Sequence, residues 1–310
     1  MAPAAWSADT QTSPKLYRIG VVTEAWGANH PTVLGLKAGL RDLGLEEGRD
    51  VAFDVRFTQG DPKATFAAAK ALVESGADLL FATGVASTVA AQEATDKLPI
   101  VFAQVNDPKA VGIVNDLVRP GGNVTGVSTL ATELTPKRLE VLKSLQPKAR
   151  RVWFVHTHND VTANAALAKL REAAPQFGVE IASREVETAG DVGGIASELS
   201  KGDVLLAADM DTLDVPVAIL KLSLANQIPA VFPSSFWVGY GGLVSYGPDY
   251  FAQGMQAARL VAKILGGARA GELPVEGVDV IDLAVNLQSA WLMGLNVPQK
   301  VLLRADTIRR

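Results

Sequence analysis

A chain of 310 residues, 48% hydrophobic and 20% charged, is long enough for one large or two medium domains with a real core. Its net charge of −4 comes without a basic block, which argues against nucleic acid as a partner, and the lack of cysteine excludes disulfides and thiolate metal sites while suiting an exported protein. No apolar run approaches the roughly 20 residues of a membrane-spanning helix.

Met1 to Pro14 is small, polar and turn-prone, without the basic start and apolar stretch of a signal peptide, so residues 1–16 are expected to form a disordered tail. Tyr17 to Val22 reads as the first strand and Thr23 to His30 as a polar loop with one tryptophan. Pro31 opens a helix to Leu43 with apolar residues at Val33, Leu36, Leu40 and Leu43. Val51 to Phe57 alternates as a half-buried strand, and a helix follows around Lys63 to Glu74. Leu79 to Ala82 is a short apolar run, broken at Thr83-Gly84. Ala86 to Asp96 is a helix, and Ile100 to Phe102 the next buried strand. Strand, glycine turn, helix and strand make a right-handed βαβ unit. Val111 to Val118 reads as a short helix, and Val124 to Ser128 as a strand whose central Gly126 suggests a bend and a crossing between lobes.

The pattern then restarts. Helices are expected at Thr135–Leu145, Ala163–Phe177, Val192–Leu199 and Pro216–Asn226, and strands at Arg151–Val155, Val179–Val186, Val204–Ala208 and Ala230–Phe232. Gly241 to Gly247 is a glycine-edged strand and second crossing. Asp249 to Leu265 is a long helix, Val280 to Val285 a last strand and third crossing, and Leu287 to Met293 a terminal helix. Strands that alternate with helices twice over define an α/β protein with two doubly wound parallel-sheet lobes. The expected lobes are residues 17–125 plus 248–282 and residues 126–247 plus 283–310. Ligands on such sheets bind beyond the carboxyl ends of the strands. Two facing rims of strand ends would therefore enclose a cleft.

The chemistry on those rims can be weighed residue by residue. At Gly84 a helix begins beside a strand end, where unpartnered amides and the positive end of the helix dipole can hold a carboxylate. Ser87 and Thr88 add hydroxyl donors there, although caps and turns need no ligand. Asp209 follows an apolar strand and either contacts a ligand or caps the next helix. Trp26 either stacks on a ligand or packs on its own lobe. His156, His158 and Asp160 have alternate spacing but lack a third strong ligand or an HExxH pattern, so no metal is expected. Ser234-Ser235 has no G-x-S-x-G elbow around it, and neither a P-loop nor a GxGxxG is present, so no cofactor is expected.

Four segments resemble the bacterial ABC-transporter solute-binding proteins whose studied members bind aromatic amino acids. They are Ala82 to Phe102; Asp107-Pro108 with Arg119-Pro120-Gly121-Gly122-Asn123-Val124-Thr125-Gly126; Ser245-Tyr246-Gly247-Pro248-Asp249-Tyr250; and Asn286 to Leu295. The resemblance implies a type I periplasmic-binding fold, three hinge crossings, a small-molecule ligand in the cleft and delivery to an ABC transporter membrane permease. It further implies a monomer, periplasmic or extracellular and lipid-anchored in its precursor. In register with the family, Gly84 and Ser87 match the carboxylate-binding helix start, Asp209 an acidic position that would hold an ammonium, and Tyr246 the tyrosine of the second crossing. The loop around Glu24 and Trp26, together with Met210 and Phe236-Trp237, departs from the pattern. The expected ligand-binding set is Glu24, Trp26, Gly84, Ser87, Thr88, Asn106, Asp107, Asn159, Asp209, Ser234 and Tyr246. Rival readings are an enzyme on the same scaffold, which lacks a convincing base and nucleophile pair, and the sensing core of a regulator.

Overall fold

A computed structural model describes residues 15–25, 27, 29–158, 160–210 and 214–310. The first lobe is built in order from β1 (Tyr17–Thr23), α1 (Pro31–Asp42), β2 (Val51–Phe57), α2 (Pro62–Glu74), β3 (Leu79–Thr83), α3 (Val85–Ala94), β4 (Ile100–Val105) and β5 (Val124–Ser128). The chain crosses into α4 (Ala131–Leu145), β6 (Arg151–Thr157), α5 (Val161–Phe177), β7 (Glu180–Val186), α6 (Ala189–Ile195), β8 (Val204–Ala207), α7 (Asp214–Asn226), β9 (Ala230–Phe232), α8 (Ser235–Gly239) and β10 (Val244–Pro248). It returns to the first lobe as α9 (Tyr250–Leu265) and β11 (Glu276–Gly277). It ends in the second with β12 (Ile281–Asn286), α10 (Leu287–Leu292), α11 (Gln299–Leu302) and β13 (Thr307–Arg309). The strand orders are β11-β5-β4-β3-β1-β2 and β13-β12-β10-β9-β8-β6-β7. Every pairing in the first sheet is parallel; in the second, β12 runs antiparallel to β10 and carries β13 with it.

The uninterrupted apolar strands follow from helices on both faces of each sheet. Alternate side chains of a strand leave on opposite faces. Along β3, Leu79 and Phe81 therefore join the core under α1 and α9, with Leu36 and Val261, whereas Leu80 and Ala82 join the core under α2 and α3, with Leu72 and Ala91. β6 repeats the division: Val152 and Phe154 pack with Leu142 and Leu170, while Trp153 and Val155 pack with Ile195 and Ile219. Burying one such side chain fully is worth about 1.5–3 kcal/mol.

Several expectations are corrected. Val111–Val118 is a run of turns and bends, not a helix. The Ile113 and Val114 amides both return to Pro108 O, Gly112 takes φ 75°, and the Asp116 carboxylate accepts from the Val118 and Arg119 amides, so local side-chain bonding replaces a helical ladder. Gly126 is not a crossing either. β5 lies within the first sheet, between β4 and β11, and a Cβ at Gly126 would lie 2.3 Å from Phe102 O, so the glycine permits close strand approach. The first crossing comes at Thr129-Leu130, where Leu130 takes φ 54°. The second and third are likewise not within Gly241–Gly247 and Val280–Val285, since β10 and β12 pair inside the second sheet; they lie at Asp249 and Val278–Val280, joined by the Asp249 amide donating to Val280 O at 3.2 Å.

α1 and α9 approach until backbone meets backbone. A Cβ at Gly35 would stand 2.0 Å from Phe251 O, and one at Gly254 2.1 Å from Thr32 O. Only glycine fits at either position. The consequence is functional: His30, which precedes α1, and Tyr250, which opens α9, stack with ring centroids 6.4 Å apart at the cleft.

Candidate functional site

A cavity of about 220 Å³ opens between the carboxyl ends of the two sheets. The first lobe lines it with the loop after β1 (Thr23, Glu24, Ala25, Gly27, Asn29, His30), with Thr83-Gly84 after β3, with Gln104 in β4 and with Tyr250. The second lobe contributes Asp209, Met210, Phe236, Trp237 and Tyr240. Among the described lining residues there are two carboxylates and no lysine or arginine.

On the first lobe the polar surface is built from short groups. The Thr83 hydroxyl donates to the Thr23 hydroxyl at 2.7 Å, which also accepts from the Ala25 amide at 3.2 Å. Gly84 adopts φ 85°, ψ 171°, a conformation reserved for glycine, and starts α3 with no side chain capping its first amides. Those amides face the cleft end of the lobe with the positive end of the helix dipole. Thr88 turns its hydroxyl back onto Gly84 O at 2.6 Å, and Ser87 is fully buried. Neither lines the cavity, because helical geometry turns positions past the first amides into the lobe.

Asn106 and Asp107 do not line it, and the cause is a β-bulge. Phe102 faces Gly126 and Val105 faces Ser128, so Ala103 and Gln104 together oppose Val127. The extra residue puts Gln104 at φ 60° and into the cavity, the re-aiming that bulges produce. Asn106 becomes a latch to the second lobe: its Nδ2 donates to Thr132 Oγ1 and its Oδ1 accepts from the Thr132 amide, each at 3.0 Å. Asp107 accepts from the Ala110 amide at 3.0 Å.

On the second lobe Asp209 is at the cavity wall, where the Thr129 hydroxyl from the first crossing donates to its Oδ2 at 3.2 Å. Burial pushes the Asp209 carboxyl up. The Arg138 guanidinium and the Thr129 bond oppose that, and the Asp160 charge adds to it. Ser234 caps α8 by accepting from the Phe236 amide at 3.3 Å and donates to Pro248 O at 3.2 Å, so it shapes the wall from behind. Tyr246 packs on the second-lobe core. Trp26 and Asn159 lie outside the described residues.

The sequence marks Phe236-Trp237 as a departure from the family pattern but does not identify it as part of an aromatic wall. Phe236 meets Trp237 edge-on at 5.1 Å and Tyr240 at 4.8 Å, and across the cleft it reaches His30 at 6.2 Å and Tyr250 at 6.1 Å. Burial lowers the His30 imidazole to about 4, so the ring is neutral at pH 7 and serves as a polar aromatic surface. The available signal was the pair Phe236-Trp237 directly after a strand end, where a one-turn helix had no periodicity to announce it. The histidines singled out elsewhere are accounted for locally: buried His156 bonds Thr157 O, exposed His158 pairs with Glu185 at 2.7 Å, and Asp160 caps α5. Among the described residues no group of three or more His, Asp or Glu could hold a metal ion.

Comparison with known proteins agrees with this architecture. The family model for ABC transporter substrate binding proteins matches residues 24–309. A protein named tyrosine-binding protein from Clostridioides difficile (strain R20291) is 30% identical over 263 residues, covering 83% of this chain and 76% of that one. A crystal structure of a conserved domain protein from Vibrio cholerae superposes with a TM-score of 0.83 at 27% identity, covering 95% of this chain and 100% of the other. An ABC domain from Streptococcus pneumonia in complex with L-Trp gives 0.85 at 22% identity, over 95% and 100% of the chains, and shares the type I periplasmic-binding fold. Members of the matched family are substrate-binding proteins rather than enzymes; they bind small molecules outside the cytoplasmic membrane and work with an ABC permease. With two α/β lobes, three crossings, a cleft at the strand ends and a match spanning nearly its whole length, this chain belongs to the ABC transporter substrate-binding protein family.

Proposed function

We propose that the chain captures an aromatic amino acid in the inter-lobe cavity and presents it, as a monomer, to an ABC permease. The ammonium would lie against Asp209, the carboxylate at the open amides after Gly84, and the ring against Phe236, Tyr240 and Tyr250. The observation that carries the reading is the composition of one cavity: two carboxylates, Glu24 and Asp209, no cationic side chain among the described lining residues, and an aromatic wall drawn from both lobes. Such a cavity favours an amine over a simple aromatic acid. The tyrosine-binding relative supports the same solute class. The ligand contacts both rims, so it binds the closed arrangement better and shifts the lobes toward it. A periplasmic or lipid-anchored location is the one in which such a receptor meets its permease.

The test is a thermal-shift and calorimetric screen of L-tyrosine, L-tryptophan, L-phenylalanine and their des-amino acids. A ligand at a hundredfold excess over Kd stabilises the folded chain by about 2.7 kcal/mol. Aromatic amino acids should raise Tm by several degrees and be recovered unchanged, with a smaller radius of gyration in solution scattering. Turnover of the ligand, or stabilisation by the des-amino acids alone, would refute the reading.

A further inference from the structure

Beneath the cleft lies a fully buried guanidinium, that of Arg138 on α4, at 1% exposure. Its Nε donates to Tyr246 O at 2.8 Å, Nη1 to Ala131 O at 3.1 Å and Nη2 to Pro233 O at 3.2 Å. These carbonyls belong to three separate segments: the start of α4 just past the first crossing, the end of β9 just before the turn that carries Phe236 and Tyr240, and β10 just ahead of the second crossing. Gly247 makes the convergence possible, since a Cβ there would lie 1.7 Å from Pro233 O and 3.2 Å from Nη2.

An arginine keeps its proton in a protein. A buried cation without a counter-charge is costly, and carbonyl dipoles only partly compensate it. The opposite charge that acts on it is Asp209, through space and without a direct ion pair. Arg138 and Asp209 both line a second, small cavity of about 10 Å³, room for one water, whose other polar walls are Asn106, Thr135 and Thr162. Asp209 lines the cleft as well. Its carboxylate is thus the partition between the ligand cavity above and the buried cation below.

We infer that Arg138 is a positioning residue for ligand capture: it holds Asp209 as a carboxylate at that partition, so the cleft takes an amine without first displacing a proton. The inference rests on the reading of the cleft as an amine site. Among the described residues, the other ionisable groups around Asp209 cannot do this work. Asp160 at the start of α5 repels its charge, Glu24 across the cleft is a further carboxylate, the His30 ring is neutral at pH 7, and Tyr250 of α9 and Tyr246 of β10 bring phenols. Arg138 is the cation of this group. It acts through Asp209 and touches no ligand.

The test measures Kd for L-tyrosine and for 3-(4-hydroxyphenyl)propionate from pH 5.5 to 7.5 in wild type, Arg138→Gln and Arg138→Lys. Wild type is expected to prefer the amine by about 10- to 100-fold, as for a charged hydrogen bond. In Arg138→Gln the loss of tyrosine affinity on acidification should set in about one pH unit or more higher, with tenfold weaker binding for each further unit, while the des-amino acid is unaffected. Arg138→Lys should keep the wild-type acid limb despite a lower Tm, and it carries the test if Arg138→Gln does not fold. Equal binding of the two probes by wild type would overturn the amine reading and the inference with it. Wild-type preference with an unmoved acid limb in Arg138→Gln, or a limb displaced in Arg138→Lys, would overturn the inference alone.

Discussion

The two walls of the cleft are made of different materials. The first lobe presents backbone and polar groups, Thr23, Thr83, Gly84 and Gln104, at the ends of adjacent parallel strands, with Glu24 and the His30 and Tyr250 rings beside them. The second presents one buried carboxylate, Asp209, and large rings, Phe236, Trp237 and Tyr240, on a one-turn helix. Amides and hydroxyls on rigid strand ends suit a group common to every amino acid. Charge and ring surface suit the groups that separate one amino-acid-like solute from another. Under the proposed reading, the first wall takes the carboxylate, and the second takes the ammonium and, with His30 and Tyr250, the ring.

The strongest way to break the first wall is from behind. Gly35→Ala places a methyl 2.0 Å from Phe251 O and must force α1 from α9. Overpacking of this kind costs up to about 3 kcal/mol. A urea titration should show that loss of stability, and aromatic ligands should weaken together because His30 and Tyr250 lose their alignment. Stability within about 0.5 kcal/mol of wild type would mean that the helix contact is not what aligns the wall.

Removing the charge from the second wall should act on binding more selectively. Asp209→Asn is expected to cost about 1.5–3 kcal/mol of affinity for L-tyrosine and little for its des-amino analogue. Calorimetry that finds equal losses for both would take Asp209 out of the ammonium contact. A smaller change should follow Phe236→Ala, about 0.5–1.5 kcal/mol from lost ring contacts in addition to buried area, greater for tryptophan than for a small amino acid. An unchanged ranking of ligands would transfer discrimination to another part of the wall.

The least effect concerns the hinge that joins the walls. Asp282 on β12 is buried and has its carboxyl pushed up to about 6, by burial first and then by Asp249, with Ser235 opposing and Asp306 adding. Its folded-state value exceeds its unfolded one, so the unfolded chain holds fewer protons between about pH 4 and pH 6. Stability from this group therefore falls as pH rises through that window and stays at the lower level above it. Asp282→Asn is expected to stabilise the protein at pH 7 by on the order of 1 kcal/mol and to have no such effect near pH 4. Equal effects at both pH values would show that the charge of Asp282 is not involved. His30 has the opposite sign: its lowered value means stability is lost as pH falls from about 6.5 toward 4.

Much of this molecule was determined locally. Apolar runs such as Leu79–Ala82 and Val204–Ala207 are strands because helices cover both sheet faces, and that pattern of element and spacing identifies two parallel α/β lobes with a cleft at the strand ends. Glu24, Gly84 and Asp209, read from positions after strands, line the cavity that the fold forms. Other features exist only once distant segments meet. The bulge that exchanges Asn106 for Gln104 depends on how β4 pairs with β5, and pairing is a property of two strands. Gly126 reads as a bend in isolation, yet it is required because Phe102 O lies where a Cβ would be. α8 has a single turn, too short for an amphipathic period, so its rings become a wall only against His30 and Tyr250 of the other lobe. Arg138 reads as one more charge on a helix until three carbonyls close around it and it shares a small cavity with Asp209. Periodicity reports what each segment does with its own neighbours; bulges, glycine contacts and buried charges report which segments face one another, and only packing of the whole chain decides that.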